Sequence, residues 1–167
     1  LLRKLLCIIS TMIGKHEEYF KLAAEQAKKA TCYRAKCGSI IVDTDGNIIG
    51  RGFNAPPLEV ESQRYCDSEC DISIKPKYDN TCCVHAEWNA IIDALRSGSD
   101  KIANSTLYFM RIDEGGNFTD AGDPFCTVCS RLALQSGIRY FALWNGKYII
   151  YDCEEYNKKS YDYYKKQ

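Results

Sequence analysis

Two stretches decide the fold: HAEWNAIIDALRSGSDKIANSTLYFM at residues 85–110 and CTVCSRLALQSGIRYFALW at residues 126–144. Each reads as a helix followed by a strand. The first gives a helix over 85–97 and a strand from Ser105 to Met110; Trp88, Ile91, Ile92 and Leu95 are its candidate core residues. The second gives a helix from Cys126 to Ser136, stopped by Gly137 at the C′ position, and a strand from Arg139 to Trp144. Strands separated by helices favour parallel pairing within one sheet.

Working outward, Lys15 to Ala30 carries Phe20, Ala23, Ala24 and Ala27 at helical spacing on a charged background. Ser39 to Val42 and Asn47 to Phe53 read as strands joined by a tight turn at Asp43-Thr44-Asp45-Gly46. Residues 54–84 are polar, Pro-containing and Cys-rich, a long loop of the kind that is usually functional or pinned. Arg111 to Pro124 is a second loop. Tyr148 to Tyr151 reads as a short strand, and the chain from Asp152 as a charged, Tyr-rich helix. The expectation is an α/β single-domain three-layer α/β/α sandwich with one mixed sheet over residues 15–167. Residues 1–14 would be an N-terminal extension, with Met12 a candidate start.

Composition narrows the partners. The chain has 167 residues, 46% apolar and 26% charged, with formal net charge zero. A protein that binds phosphate backbones broadly usually carries a basic surplus. The apolar run near the N-terminus is too short to span a membrane and lacks a small-residue cleavage site. The protein is therefore read as cytoplasmic, where ten cysteines point to metal before disulfides.

Cys126 and Cys129 stand three apart at a helix start, so both sulfurs face one point, and the helix N-terminus favours thiolate. His85 opens the other helix. If the two helix starts abut, His85, Cys126 and Cys129 supply three N/S ligands of the type zinc prefers, and three ligands leave a fourth position open for catalysis. Glu87, two residues after His85, then stands beside the water of that position as its proton carrier. A Cys-x-x-Cys pair alone would suit a closed structural knuckle or two buried thiols. His-x-Glu opening one helix and Cys-x-x-Cys the next is a signature of zinc-dependent base deaminases. His16, the other histidine, is read on a polar face of the first helix.

At these residues the chain resembles the cytidine deaminase superfamily, and within it is most similar to deoxycytidylate (dCMP) deaminases. The resemblance runs from about Lys21 to Leu143 and rests on TCYRAKCGSIIV, DGNIIGRGFNAPP, HAEWNAI, STLYF and CTVCSRLALQSGI. It implies a catalytic zinc on His85, Cys126 and Cys129, a proton shuttle at Glu87, and a nucleoside-binding asparagine at Asn54. The implied reaction adds water to C4 of a cytosine ring and releases ammonia, leaving uracil. Backbone N–H groups near Ala86 and Cys126 would meet the ring carbonyl. The resemblance also implies a second, structural zinc on four of Cys32, Cys66, Cys70, Cys82 and Cys83, with Cys37 an alternative to Cys32. Cys7 and Cys153 are read as bystanders. A homo-oligomer is expected by analogy.

The chain departs from that pattern in two places. Phe125 stands between Pro124 and Cys126, and the 111–123 loop is longer than expected. Arg111 and Arg131 are candidate phosphate contacts, and Asp113, Glu114, Asp120 and Asp123 would repel a polyanion. The chain is also read as ending without the closing strand and helix pairing, with the tyrosines of the tail as packing residues. The leading function is deamination of a small cytosine nucleotide. Alternatives are a nucleic-acid base deaminase, which needs a basic groove for an unpaired base, and a noncatalytic zinc-binding interaction module. A riboflavin-pathway deaminase usually spaces its two cysteines further apart and ranks low.

Overall fold

A computed structural model describes residues 2–66, 81–98 and 100–165. The elements are α1 (Leu2–Ala27), β1 (Lys36–Val42), β2 (Ile48–Phe53), α2 (Ala86–Arg96), β3 (Thr106–Ile112), β4 (Phe118–Thr119), α3 (Thr127–Gln135), β5 (Tyr140–Trp144), β6 (Tyr148–Asp152) and α4 (Cys153–Lys165). They build one mixed sheet in the order β2-β1-β3-β5-β6, with β4 paired to the far end of β3. β3 and β5 run parallel, with Thr106 opposite Tyr140 and Phe109 opposite Leu143. β1 is antiparallel to both β2 and β3, and β6 is antiparallel to β5.

Strand alternation divides the core between two layers. Ile40 and Val42 of β1, Tyr108, Met110 and Ile112 of β3, and Ala142 of β5 pack with Phe20, Ala23, Ala24 and Ala27 of α1. Ile41, Leu107, Phe141 and Leu143 face the opposite layer, made by α2, α3 and α4. The three-layer α/β/α sandwich read from the sequence is the observed fold.

α2 lies unusually close to the sheet. A Cβ on Gly52 would come within 2.3 Å of the Ala86 carbonyl and the Ala90 nitrogen, and one on Gly50 within 2.3 Å of the Ala90 carbonyl. Glycine is the residue that lets two backbones approach this closely. The buried face of α2 is accordingly Ala86, Ala90, Ile91 and Ala94, while Leu95 is 53% exposed. The expectation that Leu95 is core is corrected. Size suggested it, but Ala86, Ala90, Ile91 and Ala94 form the buried face and Leu95 falls on the exposed side of the helix.

Four further expectations change. α1 begins at Leu2 and runs unbroken past Lys15, ending at Ala27. His16, read on a polar face, is half-buried, with Nδ1 2.7 Å from the Tyr108 hydroxyl. The loop after Arg111 contains a hairpin, in which Arg111 pairs with Thr119 and Ile112 with Phe118. The tail supplies the missing closing pair, since β6 extends the sheet and α4 packs on α3.

The β3–β4 turn repeats the β1–β2 turn. Asp43 accepts from the Asn47 backbone N–H at 2.8 Å and Gly46 has φ 89°; Asp113 accepts from the Asn117 N–H at 2.8 Å and Gly116 has φ 81°. Aspartate satisfying the loop N–H groups and glycine taking the positive φ make the same turn twice. Among the described residues no helix is long and apolar enough to cross a membrane.

Candidate metal centre and active site

Both helix starts are fixed from outside. At α2, Ala55 and Val84 exchange backbone hydrogen bonds, Val84 N–H donating at 2.8 Å and Ala55 N–H at 3.4 Å. The Asn89 amide donates to the Phe53 carbonyl at 2.8 Å, tying the first turn of α2 to the end of β2. At α3, the Ala121 N–H donates to the Trp144 carbonyl at 2.9 Å, and Asn145 clamps Gly122, accepting its N–H at 2.8 Å and donating to its carbonyl at 3.2 Å. At its far end, α3 stops as expected. Gly137 has φ 84°, its N–H bonds the Leu134 carbonyl, and the Ile138 N–H bonds the Ala133 carbonyl.

These anchors bring His85 and Cys126, the N-cap residues of α2 and α3, together. His85 Nδ1 lies 3.0 Å from Cys129 Sγ and 3.5 Å from Cys126 Sγ. The three donor atoms all fall within 4.8 Å of one another. Cys126 Sγ also accepts from the Cys129 backbone N–H at 3.4 Å. The Cys126 thiol is pulled down to about 5, chiefly by a hydrogen bond with the Cys129 side chain, with burial opposing and His85 assisting. Burial pushes the Cys129 thiol up. Glu87 is 7% exposed, and burial raises its carboxyl above the ordinary range. One nitrogen and two sulfurs at this spacing fit zinc by donor type.

Asn54 is 7% exposed, and its side chain already has work: Oδ1 accepts from the Cys37 N–H at 2.9 Å and Nδ2 donates to the Ala35 carbonyl at 2.8 Å. It therefore fixes the chain entering β1 against the end of β2. Ala86, fully buried, is the first residue of α2, where a helix leaves its N–H without an intrahelical partner.

A second cluster lies on the long loop. Cys66, Cys82 and Cys83 have donor atoms within 4.8 Å of one another, and Cys66 Sγ is 2.9 Å from Cys82 Sγ. Cys32 lines the same pocket and its side chain bonds that of Cys83. Cys70 lies outside the described residues. Cys37 does not line this pocket. Burial and then the charges of Glu87 and Cys32 push its thiol up, and of the two it is Cys32 that the structure brings to this pocket. Cys153 is 2% exposed and packs in the core. Nothing flagged Asn89 or Asn145 beforehand. An asparagine inside a helix and another after a strand were the available signals.

The description "cytidine and deoxycytidylate deaminase zinc-binding region" matches residues 13–144. The chain belongs to this family. Among its relatives, the deoxycytidylate deaminase of Mycobacterium phage D29 is 30% identical over 129 residues, covering 73% of this chain and 88% of that protein. The deoxycytidylate deaminase of Mus musculus is 26% identical over 147 residues, covering 83% and 68%. Solved deaminases share the fold. The dCMP deaminase of cyanophage S-TIM5, in complex with dCMP and dUMP, superposes with TM-score 0.53 at 24% identity over 75% of this chain and 77% of that one. The cytidine deaminase of Burkholderia pseudomallei gives TM-score 0.57 at 17% identity over 84% and 94%. The family match spans His85, Glu87, Cys126 and Cys129, and ends before β6 and α4.

Proposed function

We propose that this protein is a zinc-dependent deaminase that hydrolyses dCMP to dUMP and ammonia. The observation that carries the reading is the meeting of His85, Cys126 and Cys129 at two helix starts, with a buried carboxyl two residues along the first. Substrate choice leans on relatives that are deoxycytidylate deaminases and on a like-folded enzyme in complex with dCMP and dUMP.

His85, Cys126 and Cys129 would hold the metal. Zinc, when bound, supplies a Lewis acid that lowers the pKa of a coordinated water from about 15.7 toward about 7. Glu87 takes one proton from the attacking water and delivers it to N3 of the ring; it then takes the second proton from the hydroxyl now on C4 and gives it to the departing amine, so cytosine plus water gives uracil plus ammonia. Burial suits this role, because it raises the carboxyl's pKa and so makes it a better proton acceptor. Burial among these groups also excludes bulk water from the transfer. The Ala86 N–H at the start of α2 would donate to the ring carbonyl. Asn54 fixes residues 35–37, and the other lone pair and N–H of its amide would meet the sugar of the substrate.

A second zinc on Cys66, Cys82 and Cys83, closed by Cys32 or Cys70, would pin the long loop. The acidic loop bears less on the substrate than its sequence suggests. Asp113 is spent on its turn, and Glu114 pairs with Lys36 at 2.6 Å. Arg131 donates to the Thr127 carbonyl within its own helix.

Ammonia release from dCMP, CMP, deoxycytidine, cytosine, single-stranded DNA and a tRNA pool tests the reading. Turnover of dCMP above the others supports it. Turnover of nucleic acid alone would replace it with a base deaminase acting on unpaired strands, and a wholly inactive zinc-loaded protein with an intact site would leave a binding module.

A further inference from the structure

Two features outside the ordinary motif meet in space. Phe125 is the extra residue before Cys126, and α4 lies beyond the residues that match the family. The Phe125 ring sits 5.9 Å from that of Tyr163 on α4, tilted by 50°. One turn earlier on α4, a polar network reaches the residue after Cys129. The Ser130 hydroxyl donates to Asn157 Oδ1 at 2.8 Å and lies 2.9 Å from the Ser160 hydroxyl, which itself donates to the Asn157 carbonyl at 2.7 Å. Ser130 and Ser160 are fully buried. α4 is itself locked to the sheet by Tyr156, whose ring stacks on Phe141 at 3.9 Å and 5°.

The consequence is a bracket. Residues 126–129, which carry both sulfurs, lie between Phe125 and Ser130, and both of those are held by one helix. We propose that α4 is the positioning element of the metal centre, and that Tyr163 and Asn157, with Ser160, hold the Cys126–Cys129 turn in its ligating geometry. This rests on the zinc reading above. Metal distances tolerate only small displacement, and outer partners that orient ligands typically govern metal affinity by about 10- to 100-fold. A buried hydroxyl network suits that task, because losing one partner leaves the others unsatisfied and lets the turn shift. An aromatic contact next to the first ligand resists rotation of the helix start.

The test follows zinc transfer from the loaded full-length protein to a chromogenic chelator. The phase belonging to the helix-start centre is the one that Cys126→Ser removes. Asn157→Ala and Tyr163→Leu should each speed that phase about tenfold, and Tyr163→Phe, which keeps the ring, should stay at the parent rate. Phe20→Leu, on the opposite layer, is the control, with loss of thermal stability matched by adjusting temperature. Acceleration in the α4 variants but not in the control supports the bracket. An unchanged phase in both α4 variants, or equal acceleration by Phe20→Leu, overturns it and leaves α4 a stabilising helix only. A parent protein with no phase removed by Cys126→Ser overturns the metal reading and the bracket together.

Discussion

The two sulfur clusters use the same chemistry on different foundations. His85, Cys126 and Cys129 stand on the first turns of two helices, each stapled to a strand end by backbone and asparagine hydrogen bonds. Cys66, Cys82 and Cys83 stand on the long loop, with Cys66 Sγ 2.9 Å from Cys82 Sγ. In both clusters one thiol is held low and a neighbour high. Cys126 is low beside a raised Cys129, and Cys82 is low beside raised Cys66 and Cys83. For Cys82, burial would raise the thiol, but bonds from Cys66 and from the N–H groups of Tyr65 and Cys66 outweigh it. The lesson is that sulfur convergence alone does not distinguish chemistry from scaffolding. A buried carboxyl does, and among the described residues it is the helix-start centre that has one, Glu87.

Removing that carboxyl breaks the comparison most sharply. Glu87→Gln should lower kcat by about 10²- to 10⁴-fold while zinc content, read by metal analysis, stays at the parent value. Next come matched thiol removals. Cys129→Ser should abolish turnover and lose the metal of the helix-start centre. Cys82→Ser should lower zinc content and melting temperature yet keep turnover per folded molecule. If Cys82→Ser also abolished turnover in folded protein, the division of labour would fail.

Smaller changes sharpen the contrast. Gly52→Ala forces a Cβ to within 2.3 Å of α2, so it should cost about 1–3 kcal/mol in denaturant unfolding and reduce kcat. Zinc on the loop cluster should be retained. Asn145→Ala deletes two bonds that hold the approach to α3. At about 0.5–1.5 kcal/mol each, the loss should appear in unfolding and as a modest fall in kcat. Leu95→Ala, on the exposed side of α2, should stay within about 0.5 kcal/mol of the parent.

Much of the fold and centre was legible beforehand for local reasons. The alternation of helical and strand periods gave the sandwich, and the stripe Phe20, Ala23, Ala24 and Ala27 buried as read. Gly137 stopped α3 where its positive φ was needed. The four residues read as the catalytic centre came from spacing at two helix starts, because an i, i+3 pair of thiols and a His-x-Glu step are local patterns. The hairpin after Arg111 was missed although its Asp-x-x-Gly-Asn turn repeats the one recognised at Asp43. Its second strand is two residues long and has almost no periodicity to read.

The sequence by itself determined which side chains can ligate a metal and which carboxyl can move a proton, since those depend on residue type and short-range spacing. Tertiary structure alone decided that the two helix starts meet and that α4 returns to contact Phe125 and Ser130, which flank the Cys126–Cys129 turn. These are contacts between residues far apart in the chain. They are set by how closely the backbones pack, as at Gly50 and Gly52, and by which buried polar groups find partners, as at Ser130 and Asn157. No local pattern carries either quantity.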